Sequence, residues 1–497
     1  MTGPDDARPN AIADPWHSRP LDVHRWSDHP NAFLLAERVW DAHFADYREQ
    51  DHKPGPKPKT SYRNQLKVVV LDLYVAWLVD PTLSIGVPMS SNGWDSNSRY
   101  NALHLTRKIT SLVTRLHDVG LIDLAAGSYG GRLSLTNRIT RIRAAAPLVA
   151  LFADIKLRQT DIRQFPGQEC IILKNNEDDD GPGREVEYEE TPQTYEMREE
   201  LMEYNSLLSR SFIDLPDEEH DYVVRPNTGG PDDFREVRVS TAASRVFVRR
   251  IFSRGSWEKN GRFYGGWWQQ ISQDHRKRIH IDDQPTVEVD FKGMHVSILS
   301  LERRVTLEGD PYALPPGVVA GVPASLQRAL VKQLVLTTIN ARTKRSAFGS
   351  FRDGWATGHF GKEMTNVELQ RLLDAFTDRH PHLKPSLCSD QGIRLMYVDS
   401  CIAAHVLRHF TQRQIPVLCV HDSFIVPYEC VLELKAVMAR ASEAVVGHPL
   451  AVDGTYVGLD EKRATDPEFV ELYIEHRHID RTDGYLGRLA GHKVRTG

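Results

Sequence analysis

Cysteine is scarce in this chain: five among 497 residues, Cys170, Cys388, Cys401, Cys419 and Cys430. None has CxxC spacing, so a structural zinc site is not expected. An odd count set mostly in apolar sequence reads as reduced core thiols. Long hydrophobic runs are also missing. The best stretch, Val68 to Val79, is broken by Asp72 and falls short of the ~18 apolar residues of a membrane span. The N-terminus, Met-Thr-Gly-Pro-Asp-Asp, has neither the basic nor the apolar segment of a secretory signal, so a cytoplasmic location is expected. Net charge is only −5, and that total conceals strong segregation along the chain. The length allows two or three domains with a substantial core.

Residues 1–60, rich in Pro, Asp and His, read as a flexible arm with a little helix around Ala32 to Tyr47. A helix is expected from Tyr62 to Leu78, with Leu66, Val69, Val70, Leu73 and Trp77 on one face. A second should cover Leu103 to Val119 and stop at Gly120, a natural C-cap. A short strand, the turn Gly127-Ser-Tyr-Gly-Gly131 and a basic strand from Arg132 follow, which is the order of a winged helix-turn-helix. Between Lys53 and Arg143 there are thirteen Lys/Arg against five Asp/Glu. Arg107, Lys108 and Arg132 are therefore candidates to meet nucleic-acid phosphates. The bland alternative is a winged-helix module used only for protein contacts.

Residues 177–203 invert the balance, with twelve Asp/Glu against two Lys/Arg, and read as a solvated linker leading into a helix from Thr194 to Leu208. From Arg235 to Arg278 the charge swings back, to eleven Lys/Arg against three Asp/Glu, interleaved with Trp257, Phe263, Tyr264, Trp267 and Trp268. Cations attract phosphate and aromatic rings can stack on bases. The competing reading is a loop whose tryptophans fill an interface.

Two carboxylates carry the chemistry. Thr286-Val-Glu-Val-Asp290-Phe291 alternates as a strand, and Asp290 stands where it gives way to a helix. In Pro416-Val-Leu-Cys-Val-His-Asp-Ser-Phe-Ile-Val426, two apolar runs flank His421-Asp422-Ser423, a hairpin with Asp422 at its tip. On neighbouring strands, Asp290 and Asp422 would hold two Mg²⁺ ions, which favour carboxylate and phosphate oxygens. Otherwise each simply ends a strand. Between them, Ser325 to Asn340 is helical. Arg328 and Lys332, one turn apart, suit a triphosphate or form an ordinary solvated basic face.

This ordered set resembles the palm and fingers of family A DNA polymerases and the related single-subunit phage-type RNA polymerases. Val289-Asp-Phe-Lys-Gly-Met-His295 is similar to the first palm motif and Val420-His-Asp-Ser-Phe424 to the second. Arg328-x-x-x-Lys332 has the spacing of the nucleotide-binding fingers helix. Gly261-Arg-Phe-Tyr264 with Gln269-Gln-Ile-Ser272 resembles the Gly-Arg element that contacts template and primer. The likeness covers about residues 245 to 440. His295 stands where the DNA polymerases have a Glu that excludes ribose, and Ser423 replaces the Glu after the second Asp.

The resemblance implies an α+β, right-hand polymerase with an antiparallel palm sheet, reduced fingers and a helical thumb, preceded by an α-rich winged helix-turn-helix domain. The implied layout is a winged helix over 61–150, an acidic linker and thumb-like segment over 151–235, palm and fingers over 236–452, and a tail over 453–497. Asp290, Asp422 and the Phe291 carbonyl would ligate two Mg²⁺, with Mn²⁺ as a substitute. Arg328 and Lys332 would grip the triphosphate, Lys332 also serving as proton donor to pyrophosphate. His295 would lie near the sugar, His421 near the primer end, and Arg262, Tyr264 and Gln270 along the nucleic acid. Expected partners are a DNA template and primer with dNTPs, and no proofreading exonuclease. RNA or primer synthesis from NTPs is the alternative; a non-enzymatic DNA-binding initiator or regulator with a degenerate palm is another.

Overall fold

The computed structural model describes residues 12, 17–47, 59–90, 93–128, 138–175, 183–226, 236–242, 245–453 and 479–496. The fold is α+β, and the chain divides into two compact units, the first ending at Glu169 apart from a short return at Ala242–Ser244. Among the described residues, no helix is long and apolar enough to cross a membrane. All five cysteines are free thiols.

The first unit opens with β1 (Ser18–Pro20), β2 (Arg25–Trp26) and α1 (Pro30–His43). These residues are not an arm. Leu35, Val39, Trp40 and Phe44 are sealed into the unit's core, because a helical stripe of this size gains more from burial than the flanking Pro and Asp cost. Next come α2 (Tyr62–Val79), β3 (Ser84–Val87), α3 (Lys108–Asp118), β4 (Ile122–Ala125), β5 (Thr140–Ala144), α4 (Ala146–Asp154) and β6 (Arg163–Gln164). Four strands form one sheet in the order β1-β3-β5-β4, with β1 and β3 parallel. The helix α2 is buried on nearly every side rather than along one face. Its Asp72, fully buried, accepts from Arg19 Nη1 and Nη2 at 2.8 and 2.7 Å and from Arg25 Nε at 3.3 Å.

The second unit starts at Cys170, so most of the expected linker and thumb-like segment over 151–235 belongs to it. Its strand β7 (Ile171–Asn175) lies parallel to β12 (Arg249–Ser253) in the sheet β13-β12-β7-β8, where β8 is Arg184–Glu185 and β13 is Ser256–Tyr264. Within the acidic stretch, the helix expected from Thr194 to Leu208 is α5 (Pro192–Arg210), which turns its acids outward and buries Leu201, Tyr204 and Leu208, while residues 176–182 of the expected linker lie outside the described residues. A ribbon of β10 (Tyr222–Pro226) and β11 (Glu236–Ser240) follows.

The central sheet has six strands and runs β16-β17-β15-β14-β9, with a further strand on β15. Here β9 is Ile213–Asp214, β14 His280–Ile281, β15 Gln284–Phe291, β16 Leu418–Val420 and β17 Ser423–Pro427. The helices of this unit continue as α6 (Met294–Glu302), α7 (Ala324–Asn340), α8 (Lys344–Asp353), α9 (Asn366–Arg379), α10 (Gly392–Gln412) and α11 (Val431–Val446). The further strand, β18 (Val452–Asp453), puts Asp453 in register with Asp290. Within the expected tail, α12 (Asp483–Thr496) buries Tyr485 and Leu489 against Phe212.

Candidate active site

Strand β15 keeps a period of two: Val287, Val289 and Phe291 are buried, which leaves Glu288 and Asp290 on the opposite face. Its neighbour β17 pairs antiparallel with Asp290 opposite Ser423, so Asp422, one residue earlier, sits at the same end of the sheet. The Phe291 N–H donates to the Asp422 carbonyl at 3.4 Å, tying the strand end to the hairpin tip. The hairpin turns through His421, whose φ of 61° is left-handed. Asp290 and Asp422 are thus brought together, as expected.

Electrostatics express the same proximity. Asp290 is open to solvent at the residue level, yet its carboxyl is pushed up to about 7. Protein crowding around the carboxylate withholds water, Asp422 adds a like charge, and Lys332 pulls the other way. Lys332 therefore acts on Asp290 from α7. The Tyr312 hydroxyl is pushed up by burial and then by the charges of Asp310 and Asp422, with Asp290 contributing. Glu288 is occupied: Arg276 holds it with two donors at 2.9 Å, and Ser423 Oγ donates to it at 2.6 Å. Ser423 therefore braces the strand beside Asp290 through Glu288.

Asp290 and Asp422 offer hard oxygen donors, the chemistry Mg²⁺ prefers, and their mutual repulsion is what a cation relieves. Among the described residues no group of three or more His, Cys, Asp and Glu is placed to hold a metal. A Mg²⁺ held by the pair would fill the rest of its octahedral shell with water or substrate phosphate oxygens. Phe291 is buried, at 2% exposure, and its backbone N–H is what bonds the hairpin.

Arg328 and Lys332 line one cleft of about 610 Å³, together with Leu336 and Asn340 of α7, Ser350 of α8 and Trp355. The i, i+4 repeat puts the two cations and Asn340 along one helix face. Arg328 is ion-paired with Asp310, whose carboxyl stays below its usual range because the Arg328 hydrogen bond and the Tyr312 N–H outweigh burial.

The residues expected along nucleic acid are placed differently. Arg262 does not lie free for a backbone: its Nε is 3.0 Å from Asp399 Oδ1, and its Nη2 bonds Oδ2 of the same carboxylate. Burial pulls the Arg262 guanidinium down, but the Asp399 hydrogen bond and charge, with Asp422 behind them, hold it up. His295 Nε2 reaches Asp399 Oδ2 at 2.9 Å. Gly261 permits this approach of β13 to α10. It adopts φ 75°, and a Cβ there would lie 2.8 Å from Ser400 Oγ.

Trp267 and Trp268 are fully buried, and Trp268 Nε1 donates to the Cys419 carbonyl at 3.0 Å, so they fill the core instead of stacking on bases. Phe263 is buried too. Tyr264 bonds Asn260 and packs edge-on to His421 at 5.4 Å. The imidazole of His421 is pulled down by burial and by Arg262. Gln270 is half-buried, and its neighbour Gln269 makes the bonds to Phe263 and Cys419 carbonyls. In the first unit Arg107 is exposed, Lys108 Nζ lies 3.8 Å from the Tyr62 ring centroid, and Arg132 falls outside the described residues.

Sequence reasoning missed Asp399. A signal existed: Leu395, Ile402, Val406 and Phe410 form the buried stripe of α10, and Asp399 interrupts that stripe. A charge at such a position demands a partner. No protein-family model matches the chain, and no curated protein matches it.

Proposed function

We propose that this chain is a template-directed nucleotidyltransferase of right-hand polymerase type that extends a DNA primer with dNTPs. The observation that carries this reading is the pairing of Asp290 and Asp422 at one sheet end, with the Lys332 charge acting on Asp290. Bound at the carboxylates, Mg²⁺ would neutralise charge on the reacting phosphate and activate the attacking hydroxyl. Arg328 and Lys332, one turn apart in the cleft, take the triphosphate, and Lys332 gives its proton to the leaving pyrophosphate. Helices α7 and α8 serve as short fingers.

In the first unit, the order α2, β3, α3, β4, β5 with the sheet order β3-β5-β4 supports a winged helix-turn-helix. Arg107 and the exposed Ser111 and Thr114 of α3 face solvent, where duplex DNA would lie. A second reading, synthesis from NTPs, is favoured by His295. It occupies the position where the DNA polymerases it resembles carry a ribose-excluding Glu, and it is held by Asp399.

Primer extension with dNTPs and NTPs in parallel, on the parent chain and on Asp290→Asn and Asp422→Asn, tests the proposal. Incorporation that vanishes in both variants while DNA binding persists is the expected result. Inactivity of the parent with both nucleotide sets, or full activity of either variant, sinks it.

A further inference from the structure

Asp399 is 1% exposed, and both its oxygens are taken. A carboxylate oxygen can only accept, so His295 Nε2 must carry the proton in the 2.9 Å bond to Oδ2. The Arg262 Nη2 group, 3.3 Å from the same nitrogen, cannot donate to a protonated Nε2; one of its two hydrogens goes to Asp399 Oδ2 instead. The tautomer is thereby fixed, and the lone pair of the neutral ring resides on Nδ1. That atom accepts no hydrogen bond among the described residues and is not among the buried polar atoms left without a partner, and His295 itself is partly exposed. His295 stands in the first turn of α6, which begins just after β15 ends beyond Asp290. Arg262, which touches both His295 and Asp399, also feels the charge of Asp422.

We propose that His295, oriented by Asp399 and Arg262, is the proton acceptor for the hydroxyl that attacks the nucleotide; this rests on the nucleotidyltransferase reading. The hydroxyl oxygen forms its bond to the α-phosphorus while the bond from that phosphorus to the β-bridging oxygen breaks. The hydroxyl proton passes to His295 Nδ1, the electron pair of the broken bond leaves on pyrophosphate, and Lys332 supplies the proton that pyrophosphate takes. The arrangement uses the logic of a base whose far nitrogen is anchored by a buried carboxylate. Asp399 and Arg262 are positioning residues.

The test is single-turnover incorporation on a primer–template with saturating nucleotide and Mg²⁺. His295→Ala should slow the step by about a hundredfold or more, with nucleotide KM little changed, and added imidazole should restore part of the rate. Asp399→Asn should lower kcat in the same direction without a matching rise in KM. Retained rate in His295→Ala, a loss lying wholly in KM or in sugar preference, or a loss that imidazole leaves untouched each overturns the proposal. Thermal melting of both variants separates these results from misfolding: a His295→Gln variant that melts with the parent yet keeps its rate also overturns it. A parent chain that incorporates neither dNTPs nor NTPs removes the polymerase reading instead, a different failure.

Discussion

Arg262 on β13 and Asp399 on α10 are 137 positions apart, and they meet with Nε 3.0 Å from Oδ1 and 3.1 Å from Oδ2. The carboxylate is almost fully buried and the guanidinium nearly so, at 1% and 14% side-chain exposure. Removing Arg262 leaves the buried Asp399 charge with the His295 hydrogen bond but without its guanidinium. Arg262→Ala should therefore cost about 3–5 kcal/mol of stability in urea unfolding at neutral pH. Arg262→Ala combined with Asp399→Leu should recover part of it, because the buried charge is gone although His295 Nε2 then loses its acceptor.

Asp290 makes the fold sensitive to pH and to divalent cations. Its carboxyl rises from 3.8 to about 7 on folding, so the folded chain binds more protons in that interval. Stability must then fall as pH rises through the window and stay lower above it. Asp290→Asn should melt higher than the parent at pH 8 without metal, with the advantage gone near pH 4. Mg²⁺ should raise the parent's Tm at pH 8 and do much less for the variant. Scanning calorimetry at the two pH values, with and without Mg²⁺, checks this.

The first unit responds to acid in the opposite sense. Burial alone would raise the carboxyl of Asp22, but Arg25 and the hydrogen bond from Gln164 bring it from 3.8 down to about 2. Its stabilisation is present above 3.8 and is lost as pH falls through about 2. Asp22→Asn should flatten that acid limb by on the order of 2 kcal/mol, read from amide-exchange protection of residues 62–79. Asp72→Ala, which takes the carboxylate from Arg19 and leaves Arg25 with Asp22 alone, should cost about 3–5 kcal/mol by the same measurement at neutral pH.

In the cleft, the two cations should separate kinetically. Lys332→Ala should lower kcat by about a hundredfold or more, since proton donation and charge on the leaving group are realised only in the transition state. Arg328 is already neutralised by Asp310, so Arg328→Ala should chiefly raise nucleotide KM, by about tenfold for one charge-assisted bond. Steady-state kinetics on a primer–template decides between these outcomes.

Local pattern made part of this legible. The alternation of Thr286 to Phe291 and the apolar flanks of His421-Asp422-Ser423 correspond to β15, β16 and β17, with the turn where polarity places it. Helix α7 spans Ala324–Asn340, close to the expected Ser325 to Asn340. What stayed hidden were partnerships across long separations. Nothing near Arg262 announces that its donors belong to Asp399. Nothing near Trp267 and Trp268 separates a core tryptophan from a stacking platform, because both environments favour the same flat apolar ring. The stripe of Leu35, Val39, Trp40 and Phe44 was readable, but the surrounding Pro and Asp disguised it.

Helix α12 has a consequence for how the chain is made. Arg488 Nε holds Asp214 Oδ2 at 2.6 Å across 274 positions, and Tyr485 closes over Phe212 on the same strand edge. A nascent chain that has emerged only as far as β18 carries Phe212 without Tyr485 over it and Asp214 with the Leu215 N–H but no guanidinium. The sheet edge at β9 is among the earliest parts of this unit to leave the ribosome, and the last to be covered. Losing α12 would therefore leave this edge open in a unit whose other strands are already paired.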